Sequence, residues 1–279
     1  MKPTEGPLLP PGTCHVDVTA WRAGAASAHA DVLADEVPVA LSFNGISHAV
    51  MMASPADLED FALGFALTER LIDGPQELYG VELHEVPEGI EVQLEVAAAC
   101  EWRLKERRRT LAGRTGCGIC GTESLAQVRR QLPTVPAVPA VRLQPHALAE
   151  AQQALRGWQA VQQLTGASHA AAWCATDGRV RLVREDVGRH NALDKLVGAM
   201  VRARAEAADG FILITSRASF EMVQKTAMAG VGVLAAVSAP TAPAVEIARE
   251  CGLALAGFVR GPDFVAYTHP ERFGLASEP

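Results

Sequence analysis

FILITSRASFEMVQKTAMAGVGVLAAVSAPTAPAVEIARECGLALAGFVR, residues 211–260, alternates two kinds of segment. FILITS (211–216), VGVLAAVS (231–238) and LALAGFV (253–259) are apolar runs of strand length. ASFEMVQKTAMAG (218–230) and APAVEIARECG (242–252) mix polar and apolar residues at helical intervals, and each ends in glycine, a helix-stop signal. Apolar strands that alternate with helices predict an α/β fold with a mainly parallel sheet covered on both faces. Parallel strands bring their carboxyl ends to one edge, where helix N-termini also point, and ligands bind along that edge.

The pattern extends upstream. Asp177-Gly178 separates two further strands, a helix begins near His190, and a helix over about 146–165 ends at Gly166. Pro133, Pro136, Pro139 and Pro145 mark residues 133–145 as a linker. Four parts follow: a poorly ordered segment over 1–35, a smaller α+β region over 36–132, the linker over 133–145, and the α/β domain over 146–279. Within the α+β region, VALSF and ISHAVMM read as strands joined at Asn44-Gly45, since Asn-Gly supplies the positive φ angles of a two-residue hairpin. SPADLEDFALGFALTERLI (54–72) reads as a helix with Ser54 as cap and Pro55 at its first position. Leu58, Phe61, Phe65 and Leu71 or Ile72 fall on one face of it. A second hairpin, 79–86 with 89–96, turns at Pro87-Glu88-Gly89.

Composition narrows the function. A net charge of −7 argues against nucleic-acid binding, because phosphate attraction dominates that affinity. No uninterrupted run of about 18 apolar residues predicts a transmembrane helix. The N-terminus MKPTEGPLLPPG has four prolines and lacks the continuous apolar stretch of a signal peptide, which predicts a cytoplasmic protein.

Of six cysteines, only Cys117 and Cys120 form a motif, in GRTGCGICG (113–121). Four glycines leave that loop adaptable and its sulfurs reachable. Arg103, Lys105, Arg107, Arg108, Arg109 and Arg114 lie just upstream, and positive charge favours thiolate over thiol. A thiolate can attack a persulfide and keep its outer sulfur. A zinc half-site, a thioredoxin-like dithiol and an unreactive loop with solvated arginines stand as the other readings. No second C-x-x-C accompanies the first to complete a zinc site, and no aromatic residue precedes Cys117 as a thioredoxin-like motif would have.

The loops at the predicted sheet edge form a second constellation. Gly188, Arg189, His190 and Asn191 combine a strand end, cationic side chains and a helix start, which suits a phosphate. Ser216, Arg217 and Ser219 repeat the idea, as do Ser238, Pro240 and Thr241, and GFVRGPDF adds Arg260 and a glycine turn. Singly, such residues are caps or solvated charges. Four such loops converging on one edge point to an anionic ligand. Glu185 and Asp186 are a carboxylate pair suited to the edge of a base or pterin, or to nearby arginines. Glu221 and Lys225, spaced i, i+4, read as a surface ion pair. Trp158 reads as core, and His169 and His269 as ordinary surface or turn residues.

GCGICG (116–121), REDVGRHNALDKLVG (184–198), TSRASFEMVQK (215–225), AVSAPTAPAVEIA (236–248) and GLALAGFVRG (252–261), in this order, resemble the FdhD family, the accessory sulfurtransferases of formate dehydrogenase. Asn44-Gly45 and Met51 to Phe65 match its N-terminal signature, and the likeness runs from about residue 37 to 272. The resemblance implies a protein that takes persulfide sulfur from a cysteine desulfurase and passes it to the molybdenum of a bound bis-molybdopterin guanine dinucleotide, destined for formate dehydrogenase. It places Cys117 as leading carrier and Cys120 as assistant or alternative. Gly257, Phe258, Val259, Arg260, Gly261 and Pro262 match the family's cofactor-binding stretch. It further implies a cytidine-deaminase-like three-layer sandwich for the C-terminal domain, and a homodimer. The deaminase zinc motif of Pro-Cys-x-x-Cys is missing, so the likeness is one of fold and not of deamination. Arg70 stands where the family pattern leads one to expect glycine. A cofactor chaperone without sulfur chemistry and a thiol–disulfide oxidoreductase remain as rival functions.

Overall fold

A computed structural model describes residues 9–100, 103–104 and 137–275. Three sheets form. β1 (Thr13–Arg22) and β2 (Ala25–Ala34) make an antiparallel hairpin. β3 (Val37–Phe43), β4 (Ile46–Ala53), β5 (Leu78–Val86) and β6 (Gly89–Val96) make a four-stranded sheet in the order β4-β3-β6-β5. The third sheet has six strands in the order β12-β11-β10-β9-β7-β8. These are β7 (His169–Ala175), β8 (Val180–Asp186), β9 (Gly210–Ile214), β10 (Val233–Ala236), β11 (Ala254–Arg260) and β12 (Asp263–Ala266).

Within the six-stranded sheet only β9, β10 and β11 pair in parallel; β7 and β12 run against their neighbours. The sheet is therefore mixed, and the expectation of a mainly parallel sheet is corrected at the level of pairing. β7 lies antiparallel to both β8 and β9, so β8 points the same way as β9, β10 and β11. Four carboxyl ends thus share one edge, which is what the ligand argument requires.

Helices cover both faces of this sheet. α4 (Arg189–Arg202), α5 (Phe220–Met228) and α6 (Ala242–Cys251) pack on one. The other holds α2 (Ala147–Leu155) with Val141, Leu143 and Phe273. Residues 141–143, read as part of a linker, lie against this second face: Leu143 N–H donates to the Arg272 carbonyl at 2.8 Å, and Val141 and Leu143 are buried. The helix expected over 146–165 breaks after α2 and resumes as α3 (Ala160–Thr165), ending at Gly166. The break turns Trp158 outward to 52% exposure, against its reading as core.

α1 (Leu58–Thr68) sits between the four-stranded sheet and α4. It begins three residues later than Pro55 would have it, with Asp57 at the cap position, because Ser54 is occupied elsewhere. Its two faces explain why it is buried nearly all round. Leu58, Phe61 and Phe65 meet the sheet, while Gly64 meets α4 so closely that a Cβ there would overlap the Asp194 carbonyl. Gly198 of α4 is reciprocal: its Cβ would overlap the Asp60 carbonyl. Gly198→Ala should therefore force the helices apart and destabilise the protein by about 3 kcal/mol, the upper part of the usual overpacking range. Urea denaturation followed by circular dichroism checks this.

Buried charges tie the same helices together. Lys225 Nζ reaches Asp194 (3.0 Å), Glu69 (2.8 Å) and Thr68 Oγ1 (3.0 Å). Lys225 is thus not the surface partner of Glu221 that its spacing suggests. At the end of α1, Arg70 keeps the left-handed conformation (φ 54°) in which glycine was expected, so the turn survives at some strain.

Residues 13–34, expected to be poorly ordered, form the β1–β2 hairpin, with Ala23 (φ 49°) and Gly24 (φ 85°) at its turn. It is exposed along most of its length and touches α3. The Asn44-Gly45 turn forms as expected (φ 47° and 77°), and the Asn44 side chain bonds both the N–H and carbonyl of Val96. Among the described residues no helix is long and apolar enough to cross a membrane.

Candidate functional site

The strand-end loops are laced together by backbone bonds. Ala218 N–H donates to the Ala239 carbonyl (3.2 Å), and Thr241 N–H donates back to Ala218 (3.0 Å). Phe258 N–H donates to the Ser238 carbonyl (3.1 Å), joining β11 to the same group. Gly257 makes this possible, since a Cβ would stand 2.8 Å from Pro240 Cδ. Thr215 Oγ1 accepts from Ala170 N–H (2.9 Å), tying the β9 loop to the start of β7.

Three predicted residues leave buried polar atoms without a hydrogen bond: Arg189 Nε, His190 Nε2 and Ser219 Oγ. Only two other such atoms occur among the described residues, Trp173 Nε1 and His269 Nε2. Trp173 lies mid-strand in the core, and His269 follows β12, at the opposite edge. Buried polar groups are normally bonded, and an orphan costs about 1–3 kcal/mol. Ser219 occupies the cap position of α5 yet makes no capping bond, so the ordinary reading of a serine before a helix does not account for it. His190 Nε2 lies 2.9 Å from Glu221 Oε2 but off the line of a formed hydrogen bond.

Electrostatics single out two groups that the sequence did not. Burial pushes the Glu221 carboxyl up, but His190, Lys225 and Arg189 outweigh it and hold the group below its ordinary value. His169 begins β7 opposite Asp186, and so stands at this edge. Burial pushes its imidazole below the ordinary value, and Arg189 and His190 act in the same direction against Asp186. His169 is half-buried here because an antiparallel β7 puts its first residue beside the last residue of β8.

The carboxylates proposed for a base or pterin edge are otherwise engaged. Glu185 caps α3, accepting from the N–H groups of Val161 and Gln162 (2.9 Å each) and from Ser168 Oγ (2.7 Å). Asp186 is fully buried against Lys195 (2.6 Å) and accepts from Ser54 N–H (3.0 Å), Gly188 N–H (2.7 Å) and Asn191 Nδ2 (3.1 Å). Ser54 Oγ accepts from Val187 N–H (3.2 Å). These bonds are the base on which loop 186–191 rests. The Asn191 side chain belongs to that base, also donating to the Met52 carbonyl (2.8 Å), and leaves only its backbone for a ligand.

The remaining predicted residues divide by exposure. Ser216 is buried, its hydroxyl donating to the Arg217 carbonyl (3.2 Å), and Val259 is core. Ser238, Pro240, Thr241 and Gly261 are half-buried. Arg217, Phe258, Arg260 and Pro262 are exposed. Phe258 holds a left-handed φ of 54°, and the Arg260 guanidinium lies over its ring (5.8 Å). Non-glycine residues in that region carry strain that clusters at ligand sites.

Cys117 and Cys120 lie outside the described residues. Cys100, Cys174 and Cys251 are buried, and burial pushes each thiol up, away from thiolate character. Cys100 is further enclosed by Arg103 (2.9 Å) and Glu77 (3.4 Å).

The model of the FdhD/NarQ family matches residues 34–274. The chain is 58% identical to a sulfur carrier protein FdhD of Variovorax paradoxus, covering 98% of this chain and 97% of that one. It is 56% identical to the sulfur carrier protein FdhD of Bordetella petrii, over 90% of this chain and 89% of the relative. Among solved structures, a protein from Desulfotalea psychrophila described as a formate dehydrogenase accessory protein superposes with a TM-score of 0.73 at 21% identity. That superposition covers 94% of this chain and 99% of the other.

Proposed function

The chain belongs to the FdhD/NarQ family, and we propose that it is a sulfur carrier that loads a persulfide on Cys117 and delivers its outer sulfur to a molybdenum cofactor held at the strand-end edge. In the loading step the Cys117 thiolate attacks the outer sulfur of a cysteine desulfurase persulfide. A new S–S bond forms, the old one breaks, and the desulfurase leaves as thiolate. Cys120 assists from the same motif. The substrate is a bis-molybdopterin guanine dinucleotide, and its recipient a formate dehydrogenase. The protein acts in the cytoplasm, as a homodimer.

The observation that carries the cofactor half of this reading is the pair of orphaned polar atoms on Arg189 and Ser219. A guanine dinucleotide offers phosphate oxygens, which are acceptors, and this edge offers donors. Arg189 and the free N–H groups at the start of α4 meet negative charge. Exposed Phe258 and Arg260 present planar faces on which a guanine can stack. Holding cofactor and sulfur on one scaffold makes the transfer effectively unimolecular.

Isothermal titration with GDP tests the edge. The wild type should bind, and Arg189→Ala should weaken binding at least about tenfold, the lower range for a hydrogen bond to a charged group. Ser219→Ala should weaken it less. GDP affinity indifferent to both substitutions would remove the phosphate reading.

A further inference from the structure

We infer that His169 is a further anion-binding residue of this edge, and that binding an anion there takes up a proton. The inference rests on the phosphate reading of the strand-end edge and adds a residue to it. His169 opens β7 and pairs in register with Asp186, the last residue of β8. Arg189 and His190 open α4 three and four residues after Asp186, the residue His169 pairs with. His169 at the start of β7 and Arg189 and His190 at the start of α4 therefore stand at the same end of the sheet.

The surrounding charges explain why the imidazole is neutral before a ligand arrives. Asp186 on β8 is the carboxylate beside His169, and it is already committed to Lys195, Gly188, Asn191 and Ser54. On α5, Glu221 stands against His190, and Lys225 is turned to Asp194 and Glu69. Arg189 thus repels a proton on His169, in the direction burial already pushes it. An incoming phosphate reverses the balance. It pairs with Arg189, cancels the repulsion, and supplies an acceptor for an imidazolium N–H. An opposite charge within a few ångströms favours the charged form, so the bound state binds the proton that the free state refuses. By linkage, affinity for the anion then falls as pH rises.

The test is titration of the full chain with GDP at pH 6, 7 and 8, each in buffers of different ionisation enthalpy, which counts the protons exchanged. Protons exchanged by GDP itself cancel between variants. The wild type should take up more protons at pH 7 than His169→Gln does. That substitution should weaken GDP binding about tenfold at pH 6, with the difference shrinking by pH 8. His190→Gln should retain the His169 share of the uptake, which separates the two imidazoles. Equal uptake in wild type and His169→Gln, or a loss of affinity independent of pH, would overturn the inference while leaving the phosphate site standing. Failure of the wild type to bind GDP would remove the phosphate reading and this inference with it.

Discussion

Asp186→Ala should destabilise the protein by about 3–5 kcal/mol, the cost of leaving a buried cation without its partner. Asp186 and Lys195 are both fully buried, 2.6 Å apart. Removing the carboxylate strands the Lys195 ammonium, whose remaining bond in this cluster is to the Ser54 carbonyl at 2.9 Å. It also frees Ser54 N–H, Gly188 N–H and the Asn191 amide at once. Chemical denaturation will show a lowered midpoint. Asp186→Leu combined with Lys195→Met should recover much of the loss, because an apolar pair of similar volume often replaces a buried ion pair at little cost. The double variant should nevertheless bind GDP poorly. Loop 186–191 will have lost the acceptors that hold its backbone, and a phosphate loop a fraction of an ångström out of place loses its bonds. Stability recovered without binding is the signature of a residue that positions the site.

Much of this architecture is legible in the chain. Short apolar runs gave β9, β10 and β11, and Asn44-Gly45 gave the first hairpin of the four-stranded sheet. The polar loops after β8 and β9 led to Arg189, His190 and Ser219, whose side chains the fold leaves with orphaned atoms. What was not legible depends on which elements touch. Asp194 and Lys195 look like the charged face of a surface helix, but α4 is enclosed between the sheet and α1, so both are buried and paired. Ser54 has the sequence of a helix cap, and the structure spends it on the loop after β8, more than a hundred residues away. The reversed β7 hid His169. The β1–β2 hairpin escaped because Ala-Gly is a weak turn signal and the apolar positions that alternate with Ser27, His29 and Asp31 are mostly alanine, a weak strand former.

Cys117→Ala should abolish sulfur loading altogether, whereas Cys251→Ala should leave it intact. A sulfur carrier needs a thiolate that a partner protein can reach. Cys100, Cys174 and Cys251 are buried in the fold, with thiols pushed up by burial. Cys117 and Cys120 instead stand in a glycine-rich stretch behind a run of arginines. Loss at Cys117 with partial retention in Cys120→Ala would make Cys117 the carrier and Cys120 its assistant. Equal loss at either position would indicate a dithiol that works as a pair, the behaviour of an oxidoreductase. Indifference to both would leave a cofactor chaperone.

The most direct measurement is intact-protein mass spectrometry after incubation with a cysteine desulfurase and free cysteine. The wild type should gain one sulfur, about 32 Da, as a persulfide removable by reductant. Cys117→Ala should gain none under the same conditions. A wild-type mass that stays unchanged while the desulfurase is demonstrably active would contradict the claim that this protein carries sulfur.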